Sequence, residues 1–130
     1  MKLFTVLITL LSCSIVDSLA GADMKIIPRA VIFGNPEKAM AQLSPDGSYI
    51  SYIAPHKGVL NIFVAPVAKP EEAKPITFDT KRGIRMHLWL YNGHRICYLQ
   101  DSDGDENMQL HVVDLINGKD CTLTPAGSKA

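Results

Sequence analysis

Shifting this sequence by 46 positions lays its second half over its first. Asp46 falls on Asn92 and Gly47 on Gly93; Ile50, Tyr52 and Ile53 fall on Ile96, Tyr98 and Leu99. Asn61, Ile62, Val64 and Val67 fall on Asn107, Met108, Leu110 and Val113 with no gap, and one inserted residue then brings Thr77 onto Thr124. Each copy reads strand, turn, strand, loop, strand, loop, short strand. Repetition of a four-stranded unit at a period of about 40–50 residues predicts stacked sheets of the β-propeller kind. The competing reading is one β-sandwich carrying an accidental repeat.

The local signals agree on an all-β fold. No stretch beyond residue 22 sustains helical periodicity. Short apolar runs alternate with turn clusters at Ser44-Pro45-Asp46-Gly47, Pro55-His56-Lys57-Gly58, Asn92-Gly93, Asp101 to Glu106 and Asn117-Gly118. Ser44-Pro45-Asp46-Gly47 suits a type I turn, since proline fixes φ at the second position and glycine tolerates the exit. Asn92-Gly93 is a hairpin signal because both residues tolerate positive φ. Tyr49-Ile50-Ser51-Tyr52-Ile53 and Ile62-Phe63-Val64-Ala65 carry bulk on both strand faces. That is expected when sheets stack face to face. The expected organisation is a signal segment (1–22), a lead-in (23–38), blade 1 (39–80) and blade 2 (84–126). Two blades fall short of a ring of about 4–8, so the chain is expected to stop before the ring closes.

The N-terminus reads as an export signal. Lys2 gives a short positive region, Leu3 to Val16 is a 14-residue apolar run, and Ala20-Gly21-Ala22 or Ser18-Leu19-Ala20 supplies small residues for cleavage. The run is shorter than the about 20 residues that span a bilayer. No stable span is expected after cleavage. The expected location is periplasmic or secreted, with a lipoprotein acylated at Cys13 as the alternative. About 108 residues remain after cleavage. Cys97 and Cys121 could then pair in an oxidising compartment, although two buried strand thiols are the favoured reading. Thirteen basic residues balance thirteen acidic ones. A neutral chain with no basic run offers no footprint for nucleic acid.

Several groups invite chemistry. Asp101-Ser102-Asp103-Gly104-Asp105-Glu106 resembles a calcium loop, but counting from Asp101 puts Glu106 where an EF-hand has glycine and Val112 where it has glutamate. An acidic connecting loop is the favoured reading. His56, His87, His94 and His111 show no metal-ligand spacing, and no nucleophile or orienting carboxylate can be assigned to them. Surface or packing roles are favoured for all four. Trp89, Tyr91, Tyr49, Tyr52 and Tyr98 suggest either an aromatic cage for a cation or inter-blade packing, the latter favoured. Lys81-Arg82-Gly83-Ile84-Arg85 is a basic cluster placed either to pair with the acidic loop or to face another domain. Lys69 to Pro75 reads as a solvated loop. No catalytic, cofactor-binding or metal-binding residue and no cofactor is assigned.

The lead-in Ile27-Pro28-Arg29-Ala30-Val31-Ile32-Phe33-Gly34-Asn35-Pro36-Glu37-Lys38-Ala39, with Leu43-Ser44-Pro45-Asp46-Gly47, Lys81 to Arg85, Tyr98-Leu99-Gln100-Asp101 and Asp103-Gly104-Asp105-Glu106-Asn107, resembles the N-terminal region of the prolyl oligopeptidase family of serine peptidases. The dipeptidyl-peptidase and acylaminoacyl-peptidase subgroup is the best match, from about Ile26 to Leu123. The resemblance implies a propeller that gates peptide substrates to an α/β-hydrolase domain holding a Ser-Asp-His triad. The sequence has no G-x-S-x-G elbow, so no triad residue carries over and no catalysis is expected from this chain alone. The resemblance thus implies a truncated N-terminal piece, with peptide substrates only in a full-length parent and a complementary hydrolase fragment as partner; open blade faces and unpaired strand edges make self-association the other expected partnership. Competing readings are a periplasmic TolB-like propeller module that binds proteins, and a small secreted β-domain.

Overall fold

Among the described residues, eight short strands form two antiparallel sheets. In the first, β1 (Ala39–Leu43), β2 (Tyr49–His56), β3 (Val59–Pro66) and β4 (Lys74–Pro75) lie in sequence order. In the second, β5 (His87–Trp89), β6 (Arg95–Gln100), β7 (Gln109–Asp114) and β8 (Asp120–Thr122) repeat that order. A 3-10 turn at Pro70–Glu72 precedes β4. The structure is a computed structural model that describes residues 26–125 and Ser128. The expected signal segment, with Cys13, lies outside the described residues. Two units divide between Gly34 and Asn35. Among the described residues the first holds only α1 (Arg29–Phe33), one helical turn with no side-chain cap and no buried residue. No described helix is long and apolar enough to cross a membrane.

The turns form as their residues dictate. Gly47 takes φ +71° and its N–H donates to the Ser44 carbonyl at 2.9 Å. The Ser44 hydroxyl donates to Asp46 Oδ1 and accepts from the Tyr49 N–H, while the Ser48 N–H donates to Asp46 Oδ1. These donors, the Ser44 hydroxyl first, hold the Asp46 carboxyl at a pKa of about 2. The second sheet repeats the device with Asn92, whose Oδ1 accepts the His94 N–H. The Asp46/Asn92 and Gly47/Gly93 equivalences therefore mark two copies of one turn.

The repeat is real but not ungapped. Ile50 pairs with Ala65 and Ile96 with Val113, so β2 and β6 are offset by 46 residues and β3 and β7 by 48. Ile62 corresponds to Leu110 and Val64 to Val112; the ungapped pairings of Ile62 with Met108 and Val64 with Leu110 are two residues out of register. Asn61 corresponds to Gln109, not to Asn107. The loop after β6 is longer than the tight Lys57-Gly58 turn after β2, and it absorbs the difference. A slip of two leaves every side chain on its own face, which is why the ungapped pattern still matched. The Thr77/Thr124 equivalence holds: Thr77 Oγ1 accepts the Ile62 N–H at 2.9 Å, and Thr124 Oγ1 accepts the Leu110 N–H at 2.7 Å.

Both sheets and the connection between them share one core. Ile62 from β3, Ile96 and Tyr98 from β6, Val113 from β7 and Ile84 from the connection are buried together, with Val64, Ile76 and Trp89 against them. Each large apolar side chain so placed contributes about 1.5–3 kcal/mol. The two-faced bulk of β2 fits its burial, since Ser51, Tyr52, Ile53 and Ala54 are successively buried. β8 is exposed along its length.

Candidate functional site

Two side-chain constellations stand out, and the first lies where the sheets meet. Ser51 on β2 and His87 on β5 are both fully buried. Ser51 Oγ lies 2.7 Å from His87 Nε2, accepts the Trp89 Nε1–H at 2.8 Å, and has the Gln42 carbonyl 3.4 Å away. The Gln42 side-chain amide donates to the His87 carbonyl at 2.7 Å, so β1 grips β5 through backbone as well. Tyr49 stacks on Trp89 at 6.5 Å between ring centroids. Burial drives the His87 pKa down to about 4, because an imidazolium there would lose its water.

A serine hydroxyl at 2.7 Å from an imidazole is nucleophile–base geometry. Both groups are closed to solvent, however, and His87 Nδ1 is buried with no hydrogen-bond partner. An orienting carboxylate on that nitrogen is what a triad requires. The pair is therefore a junction between sheets, which agrees with a packing role for His87.

The second constellation is the connection between the sheets, packed against the acidic loop. Asn61 holds its upstream half: its amide donates to the Val59 and Asp79 carbonyls, and its Oδ1 accepts from Thr77 Oγ1 and the Asp79 N–H. The Asp79 carboxylate accepts the Gly83 and Lys81 N–H groups. These bonds hold its pKa below the usual carboxylate range, although burial acts the other way. Gly83 takes φ +77°, and a Cβ there would meet Leu60 at 3.1 Å. Ile84 follows, fully buried, and its N–H donates to the Leu60 carbonyl at 2.8 Å. The flanking cations stay outside. Lys81 Nζ reaches both Asp103 oxygens at 2.7 and 2.8 Å, and Arg82 Nη2 lies 3.4 Å from Asp101 Oδ2. Of the two roles open to the basic cluster, pairing with the acidic loop is thus observed.

The acidic loop spends its own carboxylates locally. Asp105 accepts the Ser102 and Asn107 N–H groups and the Asn107 side-chain amide. Those bonds, Asn107 foremost, lower its pKa. Among the described residues no group of three His, Cys, Asp or Glu side chains is placed to hold a metal ion.

The other histidines are dispersed. His56 packs edge-on against Phe63 and Phe78, His94 Nδ1 lies 2.9 Å from the Asn92 carbonyl, and His111 stacks on Tyr98 at 5.0 Å. The Tyr98 hydroxyl donates to Asp120 Oδ2 at 2.5 Å, and burial first, then Asp120, raises its pKa. The aromatic residues form no common cage: Tyr91 is 97% exposed, and the cation over Tyr52 is the chain's own Lys38, 4.9 Å from the ring centroid. Cys97 and Cys121 both sit opposite Val112 on flanking strands. Two strand spacings separate them by about 9–10 Å, too far for a disulfide. Both are free, and Cys121 is exposed, which corrects the expectation of two buried thiols.

Sequence reasoning missed Asn61 as a buried organiser and Ser51 as the partner of His87. The signal for Asn61 was an uncapped polar residue inside an apolar strand. For Ser51 there was only a small polar residue among bulky ones.

Comparison with known proteins fits this geometry. The β-propeller domain of the trilobed protease from Pyrococcus furiosus superimposes with a TM-score of 0.54 at 21% identity, over 70% of this chain and 30% of that one. The putative TolB from Agrobacterium tumefaciens gives 0.55 at 19% identity, over 67% and 33%. The acylaminoacyl peptidase of Pyrococcus horikoshii gives 0.50 at 18%, over 69% and 17%. Identities this low speak for the fold, and with the two repeated sheets they define the class: these are blades of a β-propeller. Dipeptidyl aminopeptidase BIII of Pseudoxanthomonas mexicana is 46% identical over 112 residues, 86% of this chain and 16% of its own length. A dipeptidyl peptidase family member 6 of Caenorhabditis elegans is 33% identical over 87 residues, 66% of this chain and 12% of its own length. No protein-family description matches the chain. Within the propeller class, the sequence is that of a propeller region of the prolyl oligopeptidase family of peptidases. It spans about a sixth of the length of the nearer of these two relatives.

Proposed function

We propose that this chain forms propeller wall that screens short peptides on their way to an α/β-hydrolase domain. The observation that carries this reading is the 46% identity to a dipeptidyl aminopeptidase over 86% of the chain. The polar junction at Ser51 and His87 gives the wall its rigidity: it locks one blade to the next without offering a reactive group to the solvent. Hydrolysis belongs to a serine-containing domain that these 130 residues do not encode. The chain acts outside the cytoplasm, a part of the proposal supported by Lys2, the apolar run Leu3–Val16 and Ala20-Gly21-Ala22.

The test is a chimera in which the matching segment of dipeptidyl aminopeptidase BIII is replaced by the corresponding residues of this chain. The expected result is a folded enzyme that cleaves dipeptidyl reporters and still rejects long polypeptides. A folded chimera that digests folded proteins, or that cleaves nothing, overturns the reading. A second reading, a non-enzymatic protein-binding module, draws on the TolB likeness. It predicts stable capture of a protein partner and no gain of gating in the chimera. Export is tested by sequencing the N-terminus of the protein recovered from the periplasm or medium; an intact Met1 in the cytoplasm would contradict it.

A further inference from the structure

The basic connection borders a groove apart from the Ser51–His87 junction. About 300 Å³ opens between the start of β1, the β2–β3 turn and the connection, lined by the cations Lys81, Arg82 and Arg85 and by the apolar side chains of Pro36, Val59 and Leu60. Its volume is at the lower end of the about 300–1,000 Å³ usual for small-ligand sites. Arg82 and Arg85 also border a second, smaller cleft beside Gln100 and Asp101, so both residues line both hollows.

Of the three cations on this connection, Arg85 alone has no ion-pair partner among the described residues. Lys81 is satisfied by Asp103, and Arg82 leans on Asp101. The Asp79 carboxylate is turned onto backbone N–H groups. Arg85 is exposed. Gly104, at φ +93°, leaves Arg82 its place: a Cβ there would lie 3.2 Å from Arg82 Nη1. One free guanidinium fork, a second held nearby and an apolar wall fit a monoanion with an apolar neighbour. A guanidinium binds a carboxylate through two parallel N–H donors.

We infer that this groove binds the C-terminal carboxylate of a short peptide, with Arg85 as the principal contact, Arg82 in support, and the last side chain of the peptide against Val59 and Leu60. The inference rests on the peptide-screening reading above and adds to it the end of the peptide that is recognised.

The test is calorimetric titration of the full 130-residue chain with acetyl-Ala-Leu as the free acid, with the same peptide as its C-terminal amide, and with inorganic phosphate. The free acid is expected to bind saturably. The amide, and the free acid on Arg85→Gln, are each expected to bind about tenfold or more weakly, as loss of a charge-assisted pair requires. Arg85 is exposed and has no hydrogen-bond or ion-pair partner among the described residues, so Arg85→Gln should leave the fold intact; its far-ultraviolet circular dichroism should match that of the wild type. Equal binding of acid and amide, equal binding to wild type and Arg85→Gln, phosphate binding as tight as the peptide, or no saturation at all would each overturn the assignment. Because this titration needs no hydrolase domain, the groove can fail while the chimera still gates peptides, and the chimera can fail while the groove still binds.

Discussion

Ser51 Oγ on β2 lies 2.7 Å from His87 Nε2 on β5, and this bond joins the two sheets. Around it Trp89 and Gln42 supply the remaining donors and acceptors, but His87 Nδ1 has none. The junction is therefore stable only with a neutral imidazole. Protonation would place a charge in the core and a second N–H with nothing to receive it.

The pH dependence follows from the sign of that shift. The His87 pKa falls from 6.5 to about 4 on folding, so between these values the unfolded chain binds a proton that the folded chain refuses. The stabilisation is full above about pH 6.5 and is lost as pH falls towards 4, by about 2–3 kcal/mol. Urea unfolding followed from pH 7.5 to 4 should show this decline in the wild type and a flatter curve in His87→Gln. Identical slopes would remove His87 as the cause. Asp46 titrates in a separate window, below about pH 4, because its own pKa is lowered to about 2.

Thr77→Val should cost about 1–3 kcal/mol, since the buried Ile62 N–H and Asn61 Oδ1 both lose a partner. Thr124→Val removes the equivalent bond at an exposed position, where water replaces it, and should cost clearly less. Equilibrium urea denaturation of the two variants tests this, and equal losses would contradict the difference in burial.

Ile84→Ala should destabilise by about 2–5 kcal/mol, the range for a large aliphatic removed from a closed core. Ile84 is fully buried in the cluster that both sheets share. The neighbouring Arg85→Ala, on the exposed side of the same connection, should change the midpoint by less than about 0.5 kcal/mol. A mild effect of Ile84→Ala would mean that the connection is not part of the core.

The thiols should behave as their strand positions require. Under non-reducing conditions the mass should show no Cys97–Cys121 bond, because both residues face Val112 from opposite sides. Cys121 should react first with a maleimide and half-buried Cys97 more slowly. An intramolecular disulfide in freshly purified protein would contradict the register of β6, β7 and β8.

Much of this fold was legible from local rules. Ser44-Pro45-Asp46-Gly47 and Asn92-Gly93 each encode a turn through φ preference and a side chain that caps its own backbone. The runs between them carry strand-forming residues on both faces. The period of the repeat then named the architecture, because only stacking of sheets explains such strands. Pairing of the basic cluster with the acidic loop was also available as one of two alternatives, since opposite charges flanking one blade attract.

The rest depended on relations between distant residues. The two-residue slip between β3 and β7 was invisible because a shift of two preserves the inside–outside pattern that sequence comparison reads; only the hydrogen-bond ladder distinguishes the registers. Ser51 and His87 are unremarkable in sequence and become a junction only when packing closes 36 positions of chain. The burial of Asn61, the exposure of Cys121 and the unpaired guanidinium of Arg85 were likewise settled in three dimensions. Local sequence determined which segments are strands and where they turn, since those preferences act over a few residues. Tertiary structure decided which polar groups lose water and which keep a free valence, because desolvation depends on every neighbour at once.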